Sequence, residues 1–241
     1  PHLSDRRQRQ MCIRDRPKVG LGTYNMDSKE SEFMTYEAIK YGYRHIDTAA
    51  VYKNEDGVSR ALERIFNETQ LKREDIFITT KLWPGGLIKL DRVRDYKDTL
   101  KSFEKSLMRL NLEYIDLYLI HSPHGKSKRI EQWKSLMNLK ESGKVKYIGV
   151  SNWGINHINE LKENNLPLPD ANQIEIHPWS QKPELVKYLR ENNIDIIAYS
   201  SLVPLSSWRH KDGENSKKTE QMYKLGAVSY THLRAHETVA N

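Results

Sequence analysis

Cysteine is almost missing from this chain: Cys12 is the single one in 241 residues. No internal disulfide can form, and such usage suits a reducing compartment. There is no run of about 18 apolar residues, so no membrane-spanning helix is expected. No charged-then-apolar leader opens the chain, so no secretory signal is expected either. No GxGxxG lies between a strand and a helix, which removes support for a doubly wound dinucleotide site. No GxxxxGK[ST] marks phosphoryl transfer, and no HExxH or Cys–His spacing marks zinc, so no metal site is expected. The net charge is +7, yet no basic run carries interleaved aromatics, which argues against nucleic acid. Apolar residues make up 37% and charged residues 29% of the chain. The apolar share is low for a barrel, and the charged share suits a soluble, cytoplasmic protein with long solvated helix faces.

What is present is alternation. Short apolar runs at 19–22, 45–48, 76–80, 115–120, 146–150, 173–176 and 194–199 are separated by helical periods. This is the pattern of βα units and a parallel sheet, and 241 residues suit one TIM (β/α)8 barrel. The clearest helix is 91–110, where Val93, Tyr96, Leu100, Phe103, Leu107 and Leu110 step by three and four, with Met108 widening the same face. Core packing explains this stripe without a cofactor. Further helices are expected at 28–41, 56–67, 128–141, 157–163 and 183–192. Pro183 suits a first helical turn and Gly143 a helix C-terminus. Seven units are found, and an eighth is not; 217–226 could be a short helical stretch.

Titratable residues close three successive strand-like runs: Asp47 and Tyr52, then Lys81, then His121. In a parallel barrel the strand C-termini share one face, and that face carries the chemistry. A phenol with a pKa of about 10 donates a proton poorly unless its anion is stabilised. An ammonium does this, and a carboxylate beside it keeps the lysine charged. Singly, each residue has a plain reading: a rim tyrosine, a solvated lysine, a turn-capping aspartate, a structural histidine. The four together form a donor cluster aimed at a developing alkoxide.

The ordered runs GLGTY (20–24), DTAAVYKNE (47–55), TTKLW (79–83), LIH (119–121), IGVSNW (148–153) and NQIEIHPW (172–179) resemble the aldo-keto reductases over residues 17–202. That resemblance implies an NADPH-dependent reductase of small aldehydes or ketones, acting as a monomer, with NADH not excluded. It implies Tyr52 as general acid, Lys81 lowering its pKa, Asp47 holding Lys81, and His121 orienting the carbonyl oxygen. Ser151, Asn152 and Gln173 would take the nicotinamide carboxamide, and Tyr199 would stack on the ring. Ser200, Ser201 and Leu202 would line the pyrophosphate, with Gly22 and Thr23 beside the ribose and Asp47 at the same site. Glu55 would support the turn after Tyr52. Ser122 stands where many relatives carry an aromatic, which changes a pocket wall, and His124 reads as a loop residue. The groups that clamp a 2′-phosphate follow strand eight in the family, and none can be assigned. A rival implied by the same resemblance is a nucleotide-holding regulatory or channel-associated subunit without turnover.

Two end segments look foreign to the barrel. RRQRQMCIRDR (6–16) shows no apolar period, and VSYTHLRAHET (228–238) begins where a helix is still running. MCIRD can be written with TGTATAAGAGAC and VSYTH with its reverse complement, GTCTCTTATACA, as in a transposase sequencing adapter. Three segments are therefore expected: a non-native arm (1–16), a C-terminally truncated barrel (17–227) and a non-native tail (228–241). The arm has five arginines against two aspartates, and the tail one arginine against one glutamate, so +4 of the net +7 belongs to the barrel segment. Both ends should lack contacts with the barrel, and the chain as given should not be a competent enzyme.

Overall fold

A computed structural model describes Ile13, residues 16–88 and 90–202, Glu220 and Lys224. The elements are β1 (Leu21–Gly22), α1 (Ser28–Lys40), β2 (His45–Asp47), α2 (Glu55–Glu68), β3 (Phe77–Leu82), α3 (Tyr96–Leu110) and β4 (Ile115–Ile120). They continue with α4 (Arg129–Glu141), β5 (Val145–Ser151), α5 (Ile155–Glu163), β6 (Ala171–Glu175), α6 (Pro183–Glu191) and β7 (Asp195–Tyr199). The seven strands form one sheet in the order β1 to β7, every neighbouring pair parallel. This is an incomplete (β/α)8 barrel. Among the described residues, β1 and β7 are its two edges.

Strand side chains alternate between two faces. Ile46, Ile78, Leu82, Tyr118, Ile120, Val150 and Ile174 join the large core beneath the helices. Phe77, Leu117, Leu119, Ala171 and Ile197 form a second cluster with Tyr147, inside the barrel. Residues two further along each strand from the inner set share its parity. That rule sends Thr79 and Lys81, His121, Ser151, Gln173 and Tyr199 inward. On β2, where Ile46 faces out, it sends His45 and Asp47 inward. The barrel interior thus collects polar groups toward the strand C-termini, above an apolar plug.

Helix starts follow capping chemistry. Asp27 accepts from the backbone N–H of Lys29 (2.8 Å) and Glu30 (2.9 Å), while Glu30 reaches back to the Asp27 N–H. The helix expected from residue 91 begins instead at Tyr96, because Asp95 caps it through the Asp98 N–H at 2.9 Å. Asp91 accepts from the Trp83 indole at 2.9 Å. Met108 is 79% exposed, not part of the buried face. It lies two residues from Ser106 and from Leu110, about 200° round the helix from each. Pro183 occupies the first turn of α6, and Gly143 has a φ of +75° just past α4, as expected.

The arm was expected to lack contacts, and two of its residues correct that. Ile13 is buried in the inner cluster. Arg16 is buried too, and its guanidinium donates to Asp195 Oδ2 at 3.2 Å. An apolar side chain and a paired cation fill the bottom of the barrel, whatever their origin. The rest of the arm and the tail 228–241 lie outside the described residues, as does the stretch 217–226 apart from Glu220 and Lys224, an i,i+4 ion pair.

Candidate active site

A cavity of about 360 Å³ opens at the strand C-termini, lined by Tyr24, Val51, Tyr52, Trp83, His121, Ser151, Asn152, Gln173, Tyr199 and Ser200. Tyr52 arrives on a single 3₁₀ turn, Ala50–Tyr52, immediately after β2. Lys53 follows at a φ of +58°, which ends the turn and lets α2 start in a new direction. Tyr52 therefore sits above Lys81, which points up from inside β3.

The four expected residues converge. The Lys81 ammonium is ion-paired to Asp47 Oδ1, donates to the Thr48 carbonyl at 3.0 Å and to the Tyr52 hydroxyl at 3.4 Å. The Tyr52 hydroxyl lies 3.5 Å from His121 Nε2. Gln173 Nε2 donates to the second Asp47 oxygen at 2.7 Å. The carboxylate is thereby engaged on both oxygens, which keeps it aimed at the lysine. Rings enclose the cluster: Tyr24 against Tyr52 at 5.2 Å, His121 edge-on to Tyr52 at 5.5 Å, and Trp83 edge-on to His121 at 5.9 Å.

Burial governs protonation here. It pushes the His121 imidazole down to about 3, with the Lys81 charge acting in the same direction, so the ring is neutral at pH 7. Burial also disfavours charge on Lys81, but the Asp47 carboxylate and the Tyr52 oxygen outweigh it and hold the ammonium above its ordinary range. Lys81 does lower the Tyr52 pKa, through its charge and its hydrogen bond, but the net shift is upward. Desolvation of Tyr52 raises it, and the Lys81 charge offsets only part of the rise. The phenol holds its proton at neutral pH, and Lys81 stabilises the phenolate once the proton has left.

Ser151, Asn152, Gln173, Tyr199 and Ser200 line the cavity. Ser151 Oγ donates to the Gln173 carbonyl at 2.9 Å. Asn152, at a φ of +62°, donates to the His121 carbonyl at 3.1 Å and accepts from the Tyr199 hydroxyl at 2.7 Å. Hydroxyl, amide and aromatic ring are gathered on one wall, a set that fits a nicotinamide with its carboxamide. Gly22 and Thr23 are buried outside this lining, and the Thr23 hydroxyl donates to Asn54 at 3.2 Å. Ser201 lines a separate cleft of about 380 Å³ between β7 and β1. Leu202 is half-buried beside it. Glu55 is fully buried and accepts from Thr80 at 2.7 Å and from Arg109 at 3.1 Å, which fastens the first turn of α2 to β3 and α3. Ser122 is buried, its hydroxyl 2.8 Å from His124 Nδ1. Asn54, fully buried beside Glu55, was not singled out in the sequence. Its signal was its place in the run DTAAVYKNE. Among the described residues no group of acidic, histidine or cysteine side chains could hold a metal ion, and no helix is long and apolar enough to cross a membrane.

Comparison with known proteins agrees with this fold. A family model for the Aldo/keto reductase family matches residues 18–240. The glyoxal reductase of Bacillus subtilis is 42% identical over 188 residues, covering 78% of this chain and 64% of that protein. An aldo/keto reductase crystal structure from Brucella melitensis superposes with a TM-score of 0.70 at 40% identity, covering 79% of this chain and 71% of that one. A Bombyx mori aldo-keto reductase solved with NADP superposes with a TM-score of 0.72 at 31% identity, covering 87% and 72%. The chain spans just under two thirds of the length of the first curated relatives it matches.

Proposed function

Because this chain belongs to the aldo/keto reductase family, we propose that it derives from an enzyme that reduces small aldehydes or ketones to alcohols with NADPH, Tyr52 being the general acid. A single observation carries the reading: the Tyr52 hydroxyl lies between the Lys81 ammonium at 3.4 Å and the neutral His121 ring at 3.5 Å, at the wall of a carbonyl-sized cavity. The nicotinamide cofactor, when bound, supplies the hydride that no side chain can deliver. Ser151, Asn152 and Gln173 would hold its carboxamide, with Tyr199 against the ring.

The chain's own groups do the rest. His121, in its Nε2–H tautomer, donates to the substrate oxygen and orients it. Tyr52 transfers its proton to that oxygen as charge develops there. The phenolate left behind is stabilised by Lys81, which Asp47 keeps charged. Donors placed for the developing charge lower the barrier more than they lower the ground state. The preference for NADPH over NADH is supported by relatives solved with NADP or NADPH. The cleft between β7 and β1 reaches Asp47 and Gln173. Water admitted there would weaken the Lys81–Asp47 attraction, so this chain itself is proposed to fall short of a competent enzyme.

The test follows nicotinamide absorbance with glyoxal and other small carbonyls, under single-turnover conditions suited to slow chemistry. Oxidation of NADPH that depends on the carbonyl is the expected result. A folded protein that binds NADPH but leaves it unoxidised with every carbonyl tried would instead be a nucleotide-holding subunit.

A further inference from the structure

Asn54 occupies the N-cap position of α2, where an asparagine ordinarily accepts from the first helical N–H groups. Here its side chain makes no cap hydrogen bond. It is fully buried and turned the other way, into the loops that carry the site. Oδ1 accepts from the Thr23 hydroxyl at 3.2 Å and the Thr48 hydroxyl at 2.9 Å. Nδ2 donates to the Thr23 carbonyl at 2.8 Å and the Met26 carbonyl at 2.9 Å. Both acceptor and both donor positions of the amide are filled.

These partners are not scattered. Thr23 and Met26 bracket Tyr24, whose ring lies 5.2 Å from Tyr52. Thr48 supplies the carbonyl that accepts from Lys81 at 3.0 Å, and it begins the short connection to Tyr52. We propose that Asn54 is a positioning residue, which sets Tyr52 and Lys81 relative to one another by tying the loop after β1 to the loop after β2. A helix cap alone would need none of the four bonds. A loop anchor without bearing on the site would not engage the residue whose carbonyl holds the catalytic lysine.

The catalytic arm of the test rests on the reductase reading; the spectroscopic arm does not. The full chain is labelled with tyrosine carrying 13C at Cζ, and the Tyr52 resonance is assigned with Tyr52→Phe. Lys81→Met gives the direction in which that resonance moves when the ammonium leaves the phenol. Asn54→Ala is expected to move it in the same direction. Thr48→Val, which removes one of the four bonds and keeps the side-chain shape, should do so more weakly and guards against an Asn54 variant that does not fold. A Tyr52 resonance unmoved in whichever variants fold overturns the proposal, whether or not the protein turns over.

In the kinetic arm, Asn54→Ala is expected to lower kcat by about 10²-fold with NADPH affinity retained. In a Tyr52→Phe background it should lower kcat no further, because the residue acts through Tyr52. Equal losses in both backgrounds would mark a general structural role and overturn the inference. Moved resonances in a protein without carbonyl-dependent turnover would leave the positioning role standing and overturn the reductase reading instead.

Discussion

Tyr52 is held protonated by its surroundings, and in the proposed reaction its value lies in what waits for the proton's departure. Desolvation raises the phenol pKa, while the ammonium of Lys81 stands 3.4 Å away. Removing the hydroxyl while keeping the ring should therefore abolish proton delivery and leave the cavity wall intact. Tyr52→Phe is expected to cut kcat by about 10²–10⁴-fold with little change in NADPH affinity by fluorescence titration. Near-normal turnover would move the general acid elsewhere, and His121 is the neighbour in reach. Lys81 and His121 were legible because they close strand-like runs whose C-termini share one face in a parallel barrel, and Asp47 and Tyr52 because they stand in the run DTAAVYKNE. The sign of the Tyr52 shift was not legible. It depends on how much of the phenol is dry, and that is set by Tyr24 and His121, which come from two other units. Asn54 was hidden for a similar reason, since an asparagine before a helix reads as an ordinary cap.

The α1–α2 pair shows the same contrast between elements. Both helices are anticipated by apolar period, but their closeness rests on one residue. A Cβ on Gly57 would lie 2.1 Å from the Ser28 carbonyl oxygen and 2.2 Å from the Ser31 hydroxyl. The first of these is backbone and cannot swing aside. Gly57→Ala should push α1 off α2 and destabilise the fold by about 1–3 kcal/mol, read as a lower urea midpoint with an unchanged slope. An unchanged midpoint would mean that the helices separate at no cost. A glycine inside a helical period reads as a weak helix former; only the partner helix explains it. The start of α3 teaches the reverse. Asp91 and Asp95 both suit an N-cap, and the sequence alone does not rank them. The Trp83 indole claims Asp91 and leaves Asp95 to cap.

At the scale of the whole molecule, two properties follow from a sheet that is buried within and whose outer strands, among the described residues, are β1 and β7. Burial pushes His45 down to about 4, aided by Arg16 and Lys81 and opposed by Asp47, and pushes His121 down to about 3. An unfolded histidine titrates near 6.5. Below that pH the unfolded chain takes up protons that the folded chain refuses, so stability is full above about 6.5 and falls with pH. Each histidine should cost about 2 kcal/mol between pH 7 and pH 5, and His45→Asn should roughly halve the fall of the urea midpoint over that range, the His121 part remaining; an equally steep decline would remove His45 from the account. The second property is the seam. Along β7 one side pairs with β6, and among the described residues the other faces the 380 Å³ cleft toward β1. Backbone N–H and C=O groups left unpaired on an edge strand favour pairing with another chain. A closed barrel has no such edge. The chain is therefore expected to associate as its concentration rises, with sedimentation coefficients that climb across the micromolar range and reverse on dilution. A charge placed in the seam tests the route: Ala198→Lys, at an exposed position on the cleft, should oppose edge-to-edge pairing and restore a single slow species. Association that persists unchanged in that variant would place the contact elsewhere, and a wild-type chain that stays monomeric at high concentration would show that the seam is satisfied within the molecule.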